Sequence, residues 1–212
     1  MVKLTKNELQ QVLPEVRTAY RLLYFYQNRV LGMVQYIADT LGWRFAGGWS
    51  KFSNASPRDG KGTLENWAWD WLNMYHYEFH FGERTVAGQW LAVSVFLQSD
   101  TGFYDQPGAD KEAPVTFAPV AVSATRLQFL IGRNLWHSDV ADEFTKTNPQ
   151  TCDDYVQIHG ERDGQAGLLI VKSFPLEELA DEVSIRARLW ELVSYCQANG
   201  IPELNMALGT GL

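Results

Sequence analysis

Cysteine is scarce: Cys152 and Cys196 are the only two in 212 residues. That is too few for a disulfide framework, and a reducing compartment is the expected setting. No apolar run approaches the roughly 18 residues that a membrane-spanning helix needs. The first residues, MVKLTKNELQQV, lack the apolar stretch and small-residue cleavage site of a secretory signal. The triplet Asn54-Ala55-Ser56 fits a glycosylation acceptor, but without secretion it carries no meaning. Basic residues are outnumbered, with a formal net charge of −7 and no Lys/Arg run. Nucleic acid is therefore disfavoured as a partner, because phosphate binding depends on clustered cations. The expectation is a cytoplasmic protein without a membrane anchor.

Familiar chemical motifs are missing as well. There is no nucleophile elbow, no Cys-x-x-Cys pair and no dinucleotide glycine fingerprint. The segment DGKGT fails as a phosphate loop. Ala55 stands where the first glycine should be, and Gly62 separates Lys61 from Thr63. A nuclease-like Asp followed by Glu-x-Lys also fails, since LLIVKSF carries Ile170 at the acidic position.

What is present is a globular composition, 46% hydrophobic and 20% charged, with 13% aromatics and eight Trp. Large rings must carry much of the core or a ligand surface. Thr5 and Glu8 form a capping box that opens a helical segment over residues 5–41, closed by Gly42. Pro14 either kinks this helix or starts a second one. Val16, Tyr20, Leu23, Val30, Val34, Ile37 and Leu41 recur at three-, four- and seven-residue steps, broken only by Gln27. A second stripe, Leu22, Phe25, Tyr26, Met33 and Tyr36, follows the other flank. A helix apolar on two sides lies centrally in its domain or joins an oligomer interface, so a homodimer is one expectation.

Residues 46–63 read as a long loop rich in Gly, Ser, Asn, Asp and Pro. Strand signals then fill residues 67–174. QWLAVSVFLQSD reads as a strand buried on both faces, VTFAPVAVS and RLQFLIGR as two more. YVQIHG and AGLLIVKSF form a hairpin around Asp163-Gly164, a pair suited to positive φ. A helical segment over 175–199 starts at Pro175 and breaks near residues 181–184. The fold expected is one α+β domain: a mainly antiparallel sheet of about five or six strands, with the terminal helices packed on one face.

The stretch WAWDWLNMYHYEFHF (residues 67–81) holds the candidate site residues. In a strand, His76, Glu78 and His80 project from one face, about 6–7 Å apart. Two imidazoles and a carboxylate are ligands that zinc and ferrous iron use, so a divalent metal is the one cofactor the pattern suggests. Straight-strand geometry opposes it. The outer two lie about 13 Å apart, and an ion needs each ligand at about 2 Å. A bulge, or completion by Asp100, Asp105 or His159, would be required. The simpler reading makes this face the solvated side of the sheet, with Tyr75, Tyr77, Phe79 and Phe81 toward the helices. Trp67, Trp69 and Trp71 either stack on a ligand or belong to the core, and a helix-to-strand change is expected near Leu72 to Tyr75. Tyr155, His159, Glu161 and Arg162, and the acidic run HSDVADEF at 137–144, are weaker candidates explained equally by solvated surface.

These features favour a non-catalytic binding or regulatory protein that acts through a surface or pocket near its long loops, on a protein or small-molecule partner. The alternative is a metal-dependent enzyme of the hydrolase type using His76, Glu78 and His80.

Overall fold

The computed structural model describes residues 5–51, 74–110, 113–136 and 153–207. Helix α1 spans Lys6–Leu41. Its start is set as the sequence indicates: Thr5 and Glu8 bond reciprocally, satisfying donors that a helix start leaves open. Gly42 ends it in the left-handed conformation at φ 69°, and Pro14 sits inside an otherwise continuous helix.

Six strands follow: β1 Gly47–Ser50, β2 His76–Val86, β3 Gln89–Gln98, β4 Arg126–Arg133, β5 Val156–Arg162 and β6 Gln165–Pro175. They form one antiparallel sheet in the order β1-β2-β3-β4-β6-β5. The short helix α2, Gly102–Asp105, follows β3. A single 3₁₀ turn, Leu176–Leu179, precedes helix α3, Glu182–Ala198, which Asp181 caps by accepting from the Ser184 amide at 2.7 Å. The hairpin turns fall where the chain tolerates positive φ, at Ala87-Gly88 and at Asp163-Gly164. This is the α+β architecture expected, with α1 and α3 touching each other on one face of a six-stranded sheet.

Two expected elements differ. Within the stretch expected to be loop, Gly47–Ser50 pairs with β2 as an edge strand, because tertiary pairing supplies the partner that GGWS itself does not advertise. Residues 115–123, expected as a strand, instead form a 3₁₀ turn at Pro114–Thr116 and further turns. Pro114 and Pro119 deny the segment ladder donors. Val115, Val120 and Val122 are left exposed.

The helix-facing side of the sheet carries Phe79, Val93, Val95, Leu97, Leu127, Phe129, Ile131 and Ile170, packed on Val30, Val34, Ile37 and Leu41 of α1 and on Ile185, Leu189 and Leu192 of α3. At about 1.5–3 kcal/mol per buried aliphatic side chain, the four α1 residues favour docking by about 6–12 kcal/mol before chain entropy is counted. The opposite side is also buried. Ala92, Phe96, Leu130, Trp136, Leu169 and Val171 form a second apolar cluster there. Trp136 can approach this side closely because Gly132 has no Cβ: one placed there would meet the Trp136 Cβ at 2.1 Å.

Helix α1 is buried on this scaffold over only part of its length. Burial starts at Val30, whereas every residue from Thr5 to Phe25 is exposed. Of the two expectations for a doubly apolar helix, the central position holds for its carboxyl-terminal part alone. Tyr26 marks the boundary, donating to Ser99 Oγ at 2.9 Å beyond the end of β3. Arg29 bonds the Ala180 carbonyl nearby. At the other end Arg84 donates to the Gly42 carbonyl at 3.2 Å and stacks over Trp43.

Candidate functional site

Period-two alternation puts Phe79 toward the helices and His76, Glu78 and His80 on the second side of β2. The solvated-face reading of these three is corrected by their exposure: 1%, 0% and 5%. The second side of the sheet is covered, so its polar residues must satisfy one another.

They do so through residues from distant segments. Glu78 Oε2 lies 2.9 Å from Lys51 Nζ, in an ion pair whose side chains are 0% and 6% exposed. Glu78 Oε1 accepts from Ser94 Oγ at 2.9 Å. Ser94 Oγ in turn receives the Trp136 Nε1–H at 3.0 Å and lies 2.8 Å from His80 Nδ1. A serine hydroxyl has one proton and two lone pairs. The proton goes to the Glu78 carboxylate and one lone pair to Trp136, so the other must accept from His80. This network assigns the His80 proton to Nδ1.

His76 occupies a different environment. Its Nδ1 lies 2.6 Å from the Tyr104 hydroxyl, and its ring packs against Phe96 and edge-on to Tyr104. Burial pushes its pKa down to about 3, helped by the nearby positive charges of Lys51 and Arg126, so the ring is neutral. Its Nε2 is buried with no hydrogen-bond partner among the described residues. Burial likewise raises the Tyr104 phenol far above its ordinary value. On the same side Arg126 Nε donates to Gln98 Oε1 at 2.5 Å, and Gln128 reaches Ser173 at 3.4 Å.

Metal chemistry would need these groups to converge. The register with β3 stays regular from His76 to His80, and the bulge falls just after, between His80 and Gly82. It does not draw the outer imidazoles together. Among the described residues, no group of three or more His, Cys, Asp and Glu side chains could hold a metal ion. The proposed completing residues lie elsewhere. Asp100 accepts from the Gly102 amide and Asp105 from Thr101. His159 is exposed on β5, four strands from β2 and so about 19 Å away at the usual strand spacing.

Trp67, Trp69, Trp71 and residues 137–144 lie outside the described residues. The remaining candidates are dispersed. Tyr155 stacks on Tyr195 at 3.7 Å and bonds Glu191, Glu161 is exposed, and Arg162 covers Trp90 at 4.6 Å. What sequence reasoning missed is the set Lys51, Ser94, Gln98, Tyr104, Arg126 and Trp136. A signal for part of it existed. Ser94 and Gln98 interrupt QWLAVSVFLQSD four residues apart, and Arg126 and Gln128 alternate in RLQFLIGR, so each strand carries polar residues on one face.

Among the described residues no helix is long and apolar enough to cross a membrane. The family model described as PM0109 matches residues 6–205, and the chain belongs to that family. No curated protein and no solved structure matches it.

Proposed function

We propose that the chain is a non-catalytic binding protein. Its contact surface is the projecting part of α1 together with the loop at the base of that projection, residues 113–125. One observation carries this reading. Residues 6–25 extend about 30 Å at the helical rise, are exposed throughout, and still bear Leu9, Val12, Leu13, Val16, Tyr20, Leu23 and Tyr24 on one side. Exposed apolar surface of this extent marks an interaction site on a folded protein. Val115, Val120 and Val122 add exposed apolar surface near the sheet end where Tyr26 meets Ser99.

The metal-dependent hydrolase reading draws less support. Glu78 is held by Lys51 and Ser94, and His80 Nδ1 is held by Ser94. These contacts suit a structural network, in which each member fixes its neighbour's orientation. Stoichiometric zinc, manganese or iron in untagged protein, lost in a His76→Ala/His80→Ala variant, would overturn the binding-protein reading.

The direct test compares wild type with a Leu13→Glu/Tyr20→Glu variant by gel filtration of cell extract. The expected result is an assembly larger than the 24.1 kDa chain for wild type and a monomer for the variant. Two identical monomer profiles would refute the contact surface.

A further inference from the structure

The projecting surface has a repeat that specifies what covers it. Leu9, Leu13, Val16, Tyr20, Leu23, Gln27, Val30, Val34, Ile37 and Leu41 follow alternating steps of four and three residues along α1. That is a heptad seam, the pattern by which one helix packs along another. From Val30 onward the seam is used up on the protein's own sheet. From Leu9 to Leu23 it continues unbroken into solvent, with exposures of 43% at Leu9, 47% at Leu13, 40% at Val16, 72% at Tyr20 and 41% at Leu23. Gln27, the polar member, stands at the boundary between the two halves.

Resting on the contact surface proposed above, we infer that the occupant is a second copy of this chain, paired antiparallel through residues 5–24 about a two-fold axis. Three physical arguments carry this. The first is self-complementarity. An isologous interface sets one patch against itself, and the seam satisfies that when Leu9 faces Tyr20 and Leu13 faces Val16 of the second copy, and the reverse. The flanking pairs are then Gln10 with Arg17 and Val12 with Ala19, which oppose no like charges.

The second is direction. The exposed seam continues along the side of α1 that, further on, rests on the sheet. Parallel pairing would drive the second copy's helix into the space the sheet occupies. Antiparallel pairing places the two domains at opposite ends of the paired helices. It also brings the amino end of each helix toward the other copy's Ser99 and Thr125, near the exposed Val115, Val120 and Val122.

The third is area. Tyr20 and Tyr24, 72% and 63% exposed, at roughly 200 Å² per ring, and five partly exposed Leu and Val side chains sum to on the order of 500 Å² per chain. Two copies bury about 1,000 Å² of such surface, the threshold for a specific interface before polar neighbours are added.

The experiment is light scattering on the purified chain and on the Leu13→Glu/Tyr20→Glu variant, whose altered side chains are solvent-exposed and outside the domain core. Wild type is expected at about 48 kDa, twice the 24.1 kDa chain, with a thermal midpoint that rises with protein concentration, and the variant at the single-chain mass with a cooperative thermal transition whose midpoint does not depend on concentration. A nitroxide on Asn7→Cys, in a chain with Cys152→Ser, should report an axial offset of about 22 Å between copies, fifteen residues at the helical rise. A purified monomer that still enters a larger assembly in extract overturns the second copy while leaving the contact surface standing. A dimer unaffected by the variant, or labels at side-by-side distance, overturns the antiparallel helix pair.

Discussion

Lowering the pH from about 7 to about 4 should destabilise the fold through His76. The ring is held neutral in the native protein, chiefly by burial and then by Lys51 and Arg126, with its pKa pushed down from 6.5 to about 3. In the unfolded chain the same imidazole titrates near 6.5, so between these values the unfolded state binds a proton that the native state refuses. Stability from this group is complete above the unfolded pKa and declines as pH falls toward the folded one. At about 1.36 kcal/mol per unit, the loss by pH 4 is on the order of 3 kcal/mol. That is a large share of a total stability of about 5–15 kcal/mol. Among the described residues the groups facing the ring are Tyr104, Phe96, Lys51 and Arg126, and none of these is an acid that would stabilise an imidazolium. The assay is urea unfolding at pH 7, 6, 5 and 4 for wild type and His76→Gln. Carboxylates shared by both proteins titrate in both, so the difference isolates the imidazole. The variant should show the shallower pH dependence. Parallel profiles would refute the account of a desolvated, neutral His76.

Three further outcomes concern stability. Lys51→Met strips the counter-charge from buried Glu78 and should cost about 3–5 kcal/mol, measured by denaturant midpoint. Adding Glu78→Gln should recover part of that loss, because the lone charge is gone; strict additivity would refute the coupling. Gly132→Ala drives a methyl into Trp136 at 2.1 Å and should cost at least about 2 kcal/mol, with a change in tryptophan fluorescence as the ring is displaced. Asp181→Ala removes the bonds to the Ser184 amide and hydroxyl at the start of α3. It should lower the thermal midpoint without altering the other elements.

The candidate site was half legible. His76, Glu78 and His80 could be grouped on one strand face because side-chain alternation is local and depends on two backbone angles per residue. Their partners could not be read. Lys51, Ser94, Tyr104 and Trp136 arrive from four separate stretches, brought within bonding distance by the pairing of β1, β2, β3 and β4 and by the short helix α2 that follows β3. The straight-strand objection to a metal could be argued beforehand, and the position of the bulge, past His80, is a property of pairing.

By itself the sequence determined the elements whose signals are local. The Thr5–Glu8 box and Gly42 bound α1, Asp163-Gly164 turns the β5–β6 hairpin, a break near residues 181–184 precedes α3, and dense Val, Leu and Phe mark β3. Each follows from hydrogen bonds or sterics within a few residues. Tertiary structure alone decided which apolar and polar faces meet water. It covered the second side of the sheet, turning a face that looked solvated into a buried network, and it paired GGWS as a strand. It also ended the sheet near Ser99, so that a helix of uniform seam is core from Val30 onward and solvent-exposed before Tyr26. Burial depends on what else arrives at a surface, and a one-dimensional pattern records only that a face is apolar.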